Sequence, residues 1–100
     1  MPKRPKSVEA YLPLKPIQFW VLLVLVDEPS HGYRILKEIE RRSAGEVRLE
    51  PGNLYRYLRR LLDDELLEEV PTKASEDERR RTYAVTELGR SVVRAEAVTA

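Results

Sequence analysis

The sequence predicts a mainly α-helical domain of the α+β class, in which three helices are followed by a β-hairpin and a C-terminal helix. Two observations carry this prediction. A long apolar run over residues 17–26 is followed by apolar residues at helical spacing in two segments before residue 66 and in one after residue 86. Between them, residues 66–85 hold two short β-compatible runs around a polar stretch. The 100 residues amount to one domain, because single domains cluster near about 100–150 residues.

The composition restricts the classes of function. The chain has no cysteine and a single histidine, His31, which excludes thiolate nucleophiles, disulfides and multi-histidine metal clusters. We therefore expect no metal, no cofactor and no enzymatic activity, and we expect His31 to make structural hydrogen bonds. The 18 Lys and Arg nearly balance the 17 Asp and Glu, and a net charge of +1 argues on its own against binding to nucleic acid.

The N-terminal region combines prolines with a long apolar run. Residues 1–13 hold three prolines and a basic triplet, which predicts a flexible arm. Nine of the ten residues in 17–26 are hydrophobic, but this run is far shorter than the ~20 residues that span a bilayer and lacks a cleavage site. We therefore expect no membrane segment, no signal peptide and a cytoplasmic location. The length of the run and Pro16 favour a helix over 16–27, covered on several sides, rather than a strand.

Two further helices follow. Ser30 is the predicted N-cap of a helix over residues 31–42, which has one apolar stripe and is otherwise charged. Alternating polarity over residues 46–50 predicts a brief extended segment. Pro51 then begins a third helix, which runs to about Leu66 and presents leucines at helical spacing on one face.

The hydrophobic period changes after the third helix. Residues 66–70 and 81–85 are short β-compatible runs, and the polar stretch 72–80 lies between them. This pattern predicts a β-hairpin with a long tip. Thr86 is the predicted cap of the last helix, with acidic Glu87 in the positive first turn.

The exposed face of the third helix is basic. Between residues 51 and 62 there are three arginines and no acid. Opposite the leucines lie Asn53, Arg56, Arg59, Arg60 and Asp63, with Tyr55 and Tyr57 on the two borders. Arginine can bind guanine and asparagine can bind adenine through paired hydrogen bonds, so this face is suited to base edges. The alternative interpretation is a solvated helix face that happens to lack acids.

The hairpin carries a second group of basic residues. Its tip and second strand contain Lys73, Arg79, Arg80 and Arg81. A basic hairpin beside a basic helix is the geometry of a winged helix-turn-helix, with the helix in the major groove and the wing on the DNA backbone. Three acids in the same tip leave open the alternative of a solubilising loop.

Three motifs occur in order along the chain: HGYRILKEIE, LEPGNLYRYLRRLLDDELLEE and RRRTYAVTELGR. Over roughly residues 14–90 they resemble the PadR family of bacterial transcription regulators, whose patterns are HGY, LxPGxLYxxLxRLxxxGLI and YxLTxxGR. The resemblance implies a winged helix-turn-helix domain over 14–85, preceded by the arm 1–13 and followed by a dimerisation helix over 86–100. It also implies a homodimer that represses a promoter, binds a palindromic operator in double-stranded DNA and is often released by a small-molecule effector.

By position, the resemblance makes 51–66 the recognition helix and 67–85 the wing. Asn53 stands where the family often has threonine or serine, and Tyr55 is the family's tyrosine at the protein–DNA boundary. Glu65 replaces the glycine usual at the turn into the wing, which puts a left-handed residue at this turn in question.

From the residues and the resemblance together, we expect a sequence-specific DNA-binding repressor. The major groove is expected to meet Asn53, Tyr55, Arg56 and Tyr57, phosphates to meet Arg59, Arg60 and Lys73, and the wing to be positioned by Arg79, Arg80 and Arg81. The alternative function is a winged-helix protein-interaction or adaptor module that does not bind DNA.

Overall fold

A computed structural model describes residues 7–71 and 81–99 of the chain. These residues form one turn of 3-10 helix, four α-helices and a three-stranded antiparallel sheet. In chain order the elements are the 3-10 helix Val8–Tyr11, α1 Pro16–Asp27, β1 Ser30–His31, α2 Gly32–Arg42, α3 Pro51–Asp63, β2 Leu67–Val70, β3 Thr82–Val85 and α4 Glu87–Thr99. The predicted fold class is confirmed, with the hairpin β2–β3 placed between the third and fourth helices.

Helix α1 is the central element of the core. It begins at Pro16 as predicted, and the Lys15 backbone N–H donates to Gln18 Oε1 at 3.0 Å, which closes the first turn. Val21, Leu22, Val24 and Leu25 are each no more than 1% exposed. Helices α2, α3 and α4 and strand β3 all contact α1, so this apolar helix is covered on several sides, as its composition requires.

Strand β1 was not predicted. Ser30 pairs with Tyr83 and His31 with Thr82, which gives the strand order β1–β3–β2. The predicted extended segment 46–50 forms no strand. The outer edge of β3 is instead filled by the two residues that precede α2, and this satisfies backbone groups that would otherwise lie unpaired at a sheet edge.

The predicted cap of α2 is wrong by one residue. His31 is the N-cap, and its Nδ1 accepts from the Arg34 backbone N–H at 3.3 Å. Ser30 lies in β1, where its hydroxyl donates to the Glu28 carbonyl oxygen and accepts from Arg34 Nη1 at 2.6 Å. The structural role expected for His31 is confirmed by its capping hydrogen bond.

The N-terminal segment is also different from the prediction. Residues 7–13 were predicted to belong to a flexible arm, whereas they form the 3-10 helix and pack Val8, Tyr11 and Leu12 against the core. The Tyr11 hydroxyl donates to the Asp64 carbonyl oxygen at 3.3 Å, and the Leu14 N–H donates to Glu96 Oε1 at 2.5 Å. The remainder of the predicted arm, residues 1–6, lies outside the described residues.

Helix α3 ends at Asp63, earlier than predicted, because Glu65 adopts a left-handed conformation with φ of 62°. The Leu66 N–H donates to the Leu61 carbonyl oxygen at 2.9 Å, the bond that closes a helix followed by a left-handed residue. The turn sends Leu66 and Leu67 into the core at 1% and 2% exposure. The family's left-handed turn is therefore kept here by a residue other than glycine.

We expect Glu65→Gly to stabilise the protein by about 1 kcal/mol, because glycine adopts positive φ without the steric penalty of a Cβ. Urea unfolding followed by circular dichroism measures the change. Glu65→Ala is the matched control, since it removes the carboxylate but keeps the Cβ. An equal gain from both variants would show that the carboxylate, and not the backbone, is the source of strain.

The start of α4 is held by hydrogen bonds to the turn at Glu65 and Leu66. Thr86 Oγ1 accepts from the Gly89 N–H at 3.0 Å and donates to the Glu65 carbonyl oxygen at 2.7 Å, so the predicted cap is confirmed. The Thr86 N–H donates to the Leu66 carbonyl oxygen at 3.0 Å. A Cβ at Gly89 would collide with that same carbonyl oxygen and lie 2.6 Å from Val85 Cγ2. The packing at this junction therefore requires glycine at position 89.

Candidate nucleic-acid interface

Helix α3 presents its polar side chains because its apolar ones are fixed in the core. Leu54, Leu58 and Leu61 are at most 1% exposed, and their spacing orients the opposite face to solvent. On that face the exposed predicted site residues are Asn53, Tyr55, Arg56, Arg59 and Arg60. Tyr57 is half-buried and Tyr55 is 59% exposed. The helical projection of the sequence is therefore correct in both its buried and its exposed faces.

Two concave surfaces lie beside α3. The first is on the side of α3 that faces the segment before α1. It is a groove of about 600 Å³ between α3 and residues 10–18. The α3 side chains that line it include Asn53, Arg56 and Arg60, and Lys15 lies on the opposite wall. The groove therefore brings three cationic side chains together.

The second concave surface lies between α3 and the hairpin. It is a depression of about 330 Å³ in which Tyr55 and Arg59 of α3 meet Glu69 and Tyr83 of the sheet and Arg81, the residue before β3. Burial and the nearby Glu69 carboxylate raise the pKa of Tyr83. The structure therefore brings the basic start of β3 next to the basic helix, as the sequence predicted. Lys73, Arg79 and Arg80 lie outside the described residues.

Two of the arginines in these surfaces are paired with acids. Arg60 Nε lies 3.3 Å from Asp64 Oδ2, and Arg81 Nη1 lies 3.0 Å from Glu69 Oε1. The hydrogen bond to Glu69 raises the pKa of Arg81. Both pairs are exposed on the arginine side, so each contributes little to stability and can exchange with another anion.

Arg56 and Arg59 differ from these two arginines. Within residues 7–71 and 81–99, no carboxylate lies within 4.0 Å of either guanidinium. The arginines of α2 and of the α2–α3 connection provide the contrast, because each is paired with a carboxylate: Arg34 with Glu28, Arg41 with Glu38, Arg42 with Asp27 and Glu38, and Arg48 with Glu40. Among the described residues, the exposed centre of α3 thus holds two cations without a carboxylate partner.

Sequence reasoning missed one cation and two acids of this region. Lys15 was not predicted as a site residue because it lies between the predicted arm 1–13 and the predicted helix 16–27, away from the basic groups of the third helix and the hairpin. Asp64 and Glu69 follow the basic stretch 51–62 and were not expected to contact its arginines or those of the hairpin, whereas the structure pairs Asp64 with Arg60 and Glu69 with Arg81. Asp64 lies four residues after Arg60, a spacing at which helical residues pair, and this signal was available.

None of the helices in the described part of the chain has the length and apolar character needed to cross a membrane. Residues 7–71 and 81–99 contain no group of three or more His, Cys, Asp or Glu side chains placed to hold a metal ion.

A helical domain whose exposed basic helix α3 lies beside the hairpin β2–β3 has the winged-helix fold of transcription regulators. A sequence model of the transcriptional regulator PadR-like family matches residues 21–95. The chain belongs to this PadR-like family of transcriptional regulators.

Solved structures agree with this assignment. The chain is similar to RosR of H. salinarum in the complex hsRosR-S4, with a TM-score of 0.78 and 26% identity over 93% of this chain and 76% of that one. It shares its fold with a PadR-like transcription factor of B. fragilis, with a TM-score of 0.74 and 21% identity over 94% of this chain and 88% of the other. A PadR family transcription regulator of Clostridium difficile R20291 also has this fold, with a TM-score of 0.71 and 22% identity over 85% and 86% of the two chains.

A curated protein of Lysinibacillus sphaericus is 27% identical over 71 residues. The match covers 71% of this chain and 65% of that protein, so the chain corresponds to about two thirds of that relative's length.

Proposed function

We propose that the protein is a sequence-specific, dimeric DNA-binding repressor that places α3 in the major groove. The observation that carries the proposal is that Arg56 and Arg59, on the exposed face of α3, have no carboxylate partner among residues 7–71 and 81–99, and that Arg59 lies beside Arg81. Arginine and asparagine match the hydrogen-bonding edges of guanine and adenine, and phosphates favour arginine and lysine.

The proposed roles follow from position on α3 and the hairpin. Base edges are contacted by Asn53 and Arg56, flanked by Tyr55 and Tyr57, and phosphates are contacted by Arg59, Arg60 and Lys73. The wing lies on the backbone through Arg79, Arg80 and Arg81. Arg60 and Arg81 exchange their acidic partners for phosphate on binding, since exposed ion pairs are weak.

We also propose a homodimer that recognises a palindromic operator, because a two-fold dimer presents two copies of α3 to two half-sites. Val98 near the end of α4 is 84% exposed, so a dimer contact through α4 would cover it. Analytical ultracentrifugation measures the association, and a Val98→Asp variant that stays as associated as the wild type would remove Val98 from the dimer contact.

The second candidate function is a winged-helix adaptor that binds another protein instead of DNA. It is favoured by the two ion pairs, Arg60–Asp64 and Arg81–Glu69, which neutralise part of the basic surface in the free protein. The two candidates differ in how their binding depends on salt, because only a phosphate backbone releases a condensed counterion atmosphere.

Fluorescence anisotropy with a duplex from the promoter of the protein's own gene tests the proposal. With at least about six phosphate contacts per dimer, log K is expected to fall by about 5 or more for each tenfold rise in salt. A random duplex of the same length is the control and is expected to bind more weakly at every salt concentration. Undetectable binding, or binding that salt does not change, would contradict DNA binding and favour the adaptor.

A further inference from the structure

The N-terminal wall of the groove beside α3 is a fixed part of the fold. The Tyr11 hydroxyl donates to the Asp64 carbonyl oxygen at the end of α3, 53 residues further along the chain. The Leu14 N–H donates to Glu96 of α4. These two hydrogen bonds tie the segment before α1 to the recognition helix and to the C-terminal helix. The wall therefore keeps its position without a ligand, and binding to it costs little ordering.

The groove favours an anion. Three cationic side chains line it, Lys15 on one wall and Arg56 and Arg60 on the other, against one acid, Asp64. The Asp64 carboxylate is already paired with Arg60 at 3.3 Å. Lys15 is exposed, and no carboxylate of the described residues lies within 4.0 Å of it. The cations of this groove thus exceed the acid that could neutralise them.

One wall of the groove belongs to the proposed DNA interface. Asn53 and Arg56, which are proposed to contact bases, line this groove together with Lys15. DNA that places base edges against these two side chains brings its sugar–phosphate backbone to the opposite wall. The positive charge of the groove and its continuity with the proposed DNA-contacting face of α3 both indicate DNA as the partner.

We propose that the groove between residues 10–18 and α3 seats the DNA sugar–phosphate backbone, and that Lys15 is a phosphate-contacting residue. This inference rests on the proposed function, since it adds a backbone contact to the same complex. Lys15 lies at the start of α1, on the side of α3 away from the hairpin, so the recognition helix is flanked by backbone contacts on both sides. A contact on each side fixes the angle of α3 in the major groove.

Charge removal tests the contact. Lys15→Gln is expected to weaken binding to operator and random duplexes alike by about threefold to tenfold, and to reduce the salt slope by about 0.9 per subunit. Lys37→Gln is the matched control, because Lys37 is an exposed lysine of α2 that lies over the Tyr33 ring, 5.5 Å from its centroid. It removes the same charge away from the groove and is expected to leave the slope unchanged.

Site-directed cleavage gives a second measurement that does not depend on affinity. The chain has no cysteine, so Lys15→Cys and Lys37→Cys each provide a single attachment point for an iron chelate that cleaves nearby DNA. We expect Lys15→Cys to cut the operator backbone next to the bases that α3 contacts, and Lys37→Cys to leave those positions uncut.

The proposed function and the proposed contact by Lys15 are contradicted by different results. If the wild-type protein binds no DNA, the proposed function is wrong and the groove has no role in it. If the wild-type protein binds DNA, but Lys15→Gln behaves as Lys37→Gln does and Lys15→Cys produces no cuts at these positions, only the contact by Lys15 is overturned.

Discussion

Replacement of Arg56 by alanine is expected to cost about 1–3 kcal/mol in operator binding and to relax the preference for one base pair. Arg56 is exposed at the centre of the α3 face, and no acid in the described part of the chain pairs with it, so its hydrogen bonds are available to a guanine. Competition by operators that each carry one substituted base pair measures the preference. At one operator position, the Arg56→Ala protein is expected to bind the original and the substituted base pairs equally well, whereas the wild type prefers the original.

Two further variants test whether Arg56 differs from other arginines in recognising a base. Arg59→Ala is expected to weaken binding to all sequences by a similar factor, because Arg59 is proposed to contact phosphate. Arg94→Ala removes an equally exposed arginine from α4 and is expected to change little. If Arg56→Ala lowered affinity equally for every operator, Arg56 would belong with the phosphate contacts and not with base recognition.

Gly89→Ala is expected to destabilise the fold by about 3 kcal/mol, the upper end of the usual cost of overpacking. A Cβ at this position would collide with the Leu66 carbonyl oxygen and with Val85. That carbonyl accepts from the Thr86 N–H, so it cannot move without loss of the hydrogen bond that joins the turn after α3 to the start of α4. Chemical unfolding at neutral pH measures the loss of stability.

Gly52→Ala is the control for Gly89→Ala. A Cβ at Gly52 would have nothing within 4 Å, and alanine favours the helix in which Gly52 lies. We therefore expect Gly52→Ala to be neutral or slightly stabilising. A Gly89→Ala protein as stable as Gly52→Ala would mean that the junction between β3 and α4 relaxes at no cost.

Local patterns predicted most of the helical fold. The bounds of α1 were correct because Pro16 marks its start and acidic and proline residues mark its end. The faces of α3 were correct because Leu54, Leu58 and Leu61 follow the helical period. Thr86 was correct as a cap because its side chain acts on a backbone N–H only three residues away.

The parts that were missed depend on residues distant in sequence. Strand β1 is two residues long and exists because β3 offers it an edge some 50 residues later, which no local period can indicate. The wall before α1 is held by the Tyr11–Asp64 and Leu14–Glu96 hydrogen bonds, with partners 53 and 82 residues apart. Prolines in this segment suggested an arm, but tertiary contacts outweigh that local preference.

The distinction between local patterns and contacts distant in sequence also applies to the candidate nucleic-acid interface. The sequence indicated the basic face of α3, since it depends only on helical spacing. It did not indicate that Glu69 pairs with Arg81 or that Lys15 faces Arg56 across a groove, since both depend on how separate elements pack. Charge counted along the chain therefore predicted the basic face of α3, and charge counted in space added the residues on its two sides.

The most direct test of the account is an NMR titration of the isotope-labelled protein with its operator duplex, in which the arginine side-chain signals are followed. The central claim is that the exposed face of α3 binds DNA. It predicts the largest changes at Arg56 and Arg59, smaller ones at Arg81, and none at Arg94 on α4. Changes confined to α4 or to α2, with the α3 signals unmoved at saturation, would contradict the claim.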